Sequence, residues 1–70
     1  MLVDLSRVKD VKTFVKIAQD CKGELLLKSQ DGKYVVDAKS ILGIFSLDLT
    51  QKVYLEGKEE DLNKFIAFQF

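Results

Sequence analysis

The chain has 70 residues, with eleven basic and eleven acidic side chains that cancel, 47% apolar residues, no histidine, no proline and one cysteine. That length holds a single domain, residues 1–70, too apolar to be disordered, and its neutrality argues against a nucleic-acid partner, which calls for clustered Lys and Arg. Without histidine there is no phosphohistidine, no imidazole metal ligand and no Ser/His or Cys/His catalytic pair, and the lone Cys21 excludes an internal disulfide and a cysteine-built zinc site.

In chain order, Met1 to Leu5 is a short apolar run that fits a first strand, with Ser6 placed to cap a helix. Apolar residues then recur at Val8, Val11, Phe14, Val15, Ala18 and Cys21, spacings of three and four that lay one stripe along a helix. Lys9, Lys12, Lys16, Asp20 and Lys22 cover its other side, and Gly23 stands where a left-handed C-terminal residue is expected. Glu24 to Lys28 reads as a strand. Asp31-Gly32 signals a hairpin, and Lys33 to Ala38 returns as the partner strand.

Ser40 can cap a short second helix, Ile41 to Leu47, because its hydroxyl can accept from a free backbone N–H of the first turn. Gln51 to Glu56 alternates as a last strand and Gly57 ends it. Glu59, Glu60 and Asp61 put negative charge where a helix N-terminus favours it, which explains those carboxylates without catalysis. Leu62, Phe65 and Ile66 give the final helix an inward face. The order β-α-β-β-α-β-α predicts an α+β fold, an antiparallel sheet with the helices packed on one face.

Several residues stand out as candidates for function. Ile41, Leu42, Ile44, Phe45 and Leu47 crowd one short helix, which cannot bury all five against a single sheet face; Ile41, Ile44 and Leu47 belong to the core. Exposed apolar patches commonly mark partner sites. Arg7, Lys9 and Lys12 gather at the start of the first helix, where an anion could be held, although a solvated polar face explains them more simply, as it does Lys39. Cys21 lies on the apolar stripe and reads as a buried, inert thiol. Phe14, Tyr34, Tyr54 and Phe65 read as core or strand residues, not a base-stacking platform. No phosphate-cradling glycine loop and no metal-ligand cluster is present, so no catalytic residue and no cofactor is expected.

The stretch Gly32 to Leu49, and within it Lys39-Ser40-Ile41-Leu42-Gly43-Ile44-Phe45-Ser46-Leu47, resembles the signature of HPr, the phosphocarrier protein of the bacterial sugar phosphotransferase system. In that family a serine opens the short second helix, followed by Ile, a large apolar residue, Gly, two apolar residues and Ser-Leu. The resemblance implies an open-faced β-sandwich, a four-stranded antiparallel sheet with three helices on one face. It implies that Ser40 matches a regulatory phosphoserine. It also implies that Leu42 and Phe45, with Lys39 and the Arg7, Lys9 and Lys12 end of the first helix, form a docking surface. The partners it implies are enzyme I, HPr kinase/phosphorylase and a transcriptional regulator.

The family's Gly-x-His-Ala-Arg-Pro is replaced here by Leu5-Ser6-Arg7-Val8-Lys9-Asp10, with Arg7 near the histidine position and Lys9 near the arginine. Histidine serves as phosphoacceptor because it is nucleophilic near neutral pH, where lysine and arginine are protonated. The expectation is therefore a regulatory, protein-binding module without phosphocarrier activity, not an enzyme. Two other readings stay open: transfer through a different acceptor, and self-association through Phe68 and Phe70 with the Leu42/Phe45 patch. Nothing in MLVDLSRVKD resembles a secretory leader and no apolar run is long enough to span a bilayer, so a cytoplasmic protein, monomeric, with no membrane partner, is expected. A bulge is expected in Gly32 to Ser40, which is one residue longer than the family's span.

Overall fold

A computed structural model describes all 70 residues. The strands are β1 (Leu2–Val3), β2 (Leu26–Lys28), β3 (Val35–Asp37) and β4 (Val53–Glu56). The helices are α1 (Val8–Asp20), α2 (Ile41–Phe45) and α3 (Glu59–Leu62), and α3 continues as a 3₁₀ segment, Asn63–Phe68. The strands form one antiparallel sheet in the order β1-β4-β2-β3, so the fold is α+β, an open-faced sandwich of four strands under three helices.

Alternation assigns the two faces of the sheet. On β4, Val53 and Leu55 are buried while Tyr54 and Glu56 are exposed, as a strand with one dry face requires. Helix α1 lays Val11, Phe14, Val15 and Ala18 onto that dry face. They join Val3, Leu5, Leu25, Leu27, Ile44, Leu47 and Phe65 in one core. Phe14 is its hub: its ring lies 4.7 Å from Phe65 and 5.4 Å from Phe68, the latter edge-on, an arrangement aromatic pairs favour.

Several local expectations are corrected. Ser6 does not cap α1; the N-cap is Arg7, without a side-chain bond, and the Ser6 amide instead donates to Asp4 Oδ1 at 3.0 Å. Gly23 is not the left-handed terminator, since Cys21 ends α1 in extended conformation. The only positive-φ residue is Gly32, at +76° in the hairpin loop. No bulge interrupts β2 and β3, whose pairing runs in constant register from Leu25 with Ala38 to Ser29 with Tyr34. Val8 and Ile66, expected to face inward, are both exposed. Val8 sits at the first position of α1, and the tightening to three residues per turn after Leu62 rotates Ile66 outward. Tyr34 is exposed in the loop before β3, outside the core and outside any strand.

The chain end also packs differently from expectation. Phe68 is half-buried against Phe14, and Gln69 pairs antiparallel with Val3. The Phe70 amide donates to the Leu2 carbonyl at 3.0 Å, and Lys52 Nζ stands 3.9 Å from the centre of the Phe70 ring. Residues 68–70 thus cover the β1 edge of the sheet, and the β3 edge is left uncovered.

Candidate docking site

Ser40 does what its residue type at that place predicts. Its backbone is extended and its Oγ accepts from the Gly43 amide at 3.1 Å, satisfying one free donor at the start of α2. The hydroxyl stays on the surface, because Ser40 is exposed. Helix α2 has five residues and can turn only one side toward the sheet. Ile44 is fully buried and Ile41 partly so. Leu42 points the other way and is 81% exposed; Phe45 is 43% exposed. Ser40, Leu42 and Phe45 therefore share one short segment that presents a hydroxyl and two large apolar side chains to solvent.

The segment is held in place from behind. Lys39 Nζ donates to the Cys21 carbonyl at 2.7 Å, and Gln19 Nε2 donates to the Lys39 carbonyl at 3.3 Å. The two bonds clasp the C-terminal end of α1 to the start of α2, and the ammonium supplies a cation where the helix exposes unpaired carbonyls. Lys39 is consequently a structural tether and does not reach outward as a free docking charge. Cys21 is buried, with its thiol donating to the Ile17 carbonyl at 3.4 Å.

Arg7, Lys9 and Lys12 do not line a common cleft. They are all exposed, but only Arg7 lines the cleft of about 590 Å³ between the start of α1 and the chain end. That cleft also holds Asp4 and Asp10, so carboxylates outnumber cations there and an anion is disfavoured. Asp4 itself titrates below its ordinary value, chiefly because it accepts from the Ser6 amide, with the Ser6 side chain, Lys52 and Arg7 adding to the effect. Along α1 the Arg7 end lies about 20 Å from the Lys39 tether, from 1.5 Å of rise per residue. The structure thus brings Ser40, Leu42 and Phe45 together and leaves the basic residues outside that group.

No group of His, Cys, Asp or Glu is placed to hold a metal ion, and no helix is long and apolar enough to cross a membrane. Sequence reasoning missed the Lys39 tether and the burial of residue Asp61. Asp61 Oδ2 would stand 2.7 Å from a Cβ built on Gly23, so the glycine is what makes room for that carboxylate. No family model matches this chain, and no curated protein and no solved structure matches it.

Proposed function

We propose that this chain is an HPr-like regulatory module that works by docking onto protein partners through α2, without carrying phosphate on a histidine. The observation that carries the reading is the joint exposure of Leu42 and Phe45 beside the exposed, capping Ser40. A four-stranded antiparallel sheet with three helices is also the arrangement the family resemblance implies. The partners of this reading are enzyme I, HPr kinase/phosphorylase or a transcriptional regulator in a bacterial cytoplasm.

Phosphate on Ser40 would add about −1.5 to −2 charges next to two apolar docking side chains. That changes which surfaces can cover Leu42 and Phe45 while leaving the core untouched. Carriage of phosphate on histidine has no chemical basis in this chain, because histidine is absent and the residues near the carrier position, Arg7 and Lys9, are protonated at neutral pH.

The test is incubation with HPr kinase and ATP, read by intact mass and peptide mapping. One phosphate on the wild type, located at Ser40 and absent from Ser40→Ala, supports the reading. An unmodified wild type, or equal labelling of Ser40→Ala, refutes the regulatory role. With enzyme I and phosphoenolpyruvate, no acid-labile phosphate should form; labelling would restore the alternative of transfer through another acceptor.

A further inference from the structure

Strand β3 lies at the end of the sheet with only one neighbour, β2. The Ser29 amide donates to the Tyr34 carbonyl and the Ala38 amide to the Leu25 carbonyl, at 3.0 and 2.9 Å. Antiparallel pairing alternates, so Tyr34, Val36 and Ala38 turn their backbone groups toward β2 and Val35 and Asp37 turn theirs away. The Val35 N–H, the Val35 carbonyl and the Asp37 N–H therefore face solvent from an uncovered edge, a ready template for another strand. The side chains around it are unusually apolar for an open edge: Tyr34 is 63% exposed and Val35 50%.

We propose that two copies of the chain pair antiparallel along β3, with Val35 on the twofold axis. Charge selects this register and a second copy as the occupant. With Val35 opposite Val35, Lys33 of each copy stands opposite Asp37 of the other, and Tyr34 stands opposite Val36. Moving the centre to Tyr34 opposes Asp31 to Asp37, moving it to Val36 opposes Lys33 to Lys39, and moving it to Asp37 opposes that carboxylate to itself. Each alternative that satisfies the outward backbone groups thus sets like charges against one another, which is unfavourable across a strand pair.

Neither Lys33 nor Asp37 is committed to an ion pair within the chain, whose one salt bridge joins Lys28 and Glu56. The selected register offers the Val35 N–H to the opposite Val35 carbonyl twice and the Asp37 N–H to the opposite Lys33 carbonyl twice. A chain with zero net charge imposes no long-range repulsion against the encounter. The pairing uses residues other than Ser40, Leu42 and Phe45, although Asp37 also accepts from the Lys39 and Ser40 amides in the turn before α2, and it replaces the expectation of a strict monomer.

The test is sedimentation equilibrium of the full chain from micromolar to millimolar concentration, with Lys33→Glu and Asp37→Lys variants. The wild type should dimerise, and each variant alone should dimerise at least about tenfold more weakly, since two attractive pairs become repulsive. An equimolar mixture of the two variants should regain the dimer, because position 33 of each copy then meets the opposite charge at position 37 of the other. Should a variant fold poorly, amide exchange on the wild type decides: Val35 and Asp37 amides should be slowed as concentration rises. A wild type monomeric throughout the range, variants that dimerise as tightly as wild type, a mixture that stays monomeric, or edge amides insensitive to concentration would each overturn the proposal.

Discussion

Lys39 Nζ and the Cys21 carbonyl oxygen are 2.7 Å apart, a charge-assisted bond that joins the last turn of α1 to the turn that delivers Ser40. The placement of the exposed α2 segment depends on this bond and on its companion from Gln19 to the Lys39 carbonyl.

Removing the ammonium should therefore loosen the segment before it harms the core. Lys39→Met is expected to cost about 1 kcal/mol, a drop of roughly 4–8 °C in Tm for a domain of this size. Thermal unfolding followed by far-UV circular dichroism measures it, and Lys39→Arg should recover part of the loss.

Ser40 serves the fold and, in the proposed function, recognition. Ser40→Ala should cost about 1 kcal/mol through the lost cap, whereas Ser40→Asp retains a capping oxygen and should stay within about 0.5 kcal/mol of wild type. Urea titrations of both variants separate stability from binding, because only binding should change in Ser40→Asp.

Exposure and burial on the same chain predict opposite responses to truncation. Leu42→Ala and Phe45→Ala should change stability by less than about 1 kcal/mol, as surface substitutions do. Phe14→Ala empties the centre of the aromatic trio and should cost about 3–5 kcal/mol. That equals the whole margin of a core this small, so its near-UV spectrum and cooperative unfolding should vanish.

The acid limb of stability should involve Asp31 and Asp4. Asp31 is held below its ordinary value of 3.8 chiefly by the Ser29 hydroxyl, then by the Lys33 amide; Asp4 is lowered chiefly by the Ser6 amide. A carboxylate with a lowered native pKa favours the folded state above the ordinary value, and that contribution disappears as pH falls through the lowered one. Stability should thus decline as the solution is acidified below about pH 3.8. Asp4→Asn with Asp31→Asn should flatten that part of the profile, measured by urea midpoints at stepped pH. Both groups are fully exposed, so the effect is small and screened by salt.

Much of the fold was legible because its signals are local. The Val11, Phe14, Val15, Ala18 spacing sets the buried stripe of α1, Asp31-Gly32 sets the hairpin with Gly32 at φ +76°, and Ser40 sets the start of α2. Each of those choices is made within a turn or two of chain. Other features depend on competition or on contacts distant in sequence. Ser6 looks like a cap because residue type alone does not show that Asp4 claims its amide. Phe68 looks like part of a free apolar end, yet its ring packs against Phe14 while the backbone of residues 68–70 covers the β1 edge through Leu2 and Val3; the Phe70 ring stays exposed, with Lys52 beside it. Lys39 looks like a docking charge because a lysine beside a cap reads as solvated until the Cys21 carbonyl is seen beneath it. At the candidate site, Leu42 and Phe45 were legible from simple crowding: five large apolar residues within Ile41 to Leu47 cannot all face inward, although the helix itself ends at Phe45 and Leu47 lies just beyond it.

The most direct test of docking through α2 is a backbone-amide shift titration of the labelled chain with HPr kinase/phosphorylase. Shifts concentrated on Ser40, Leu42, Gly43 and Phe45, and lost in a Leu42→Ala, Phe45→Ala double variant that still folds, are what the account predicts. Saturation without any change along α2, with shifts confined to the opposite sheet face around Tyr54, would contradict it.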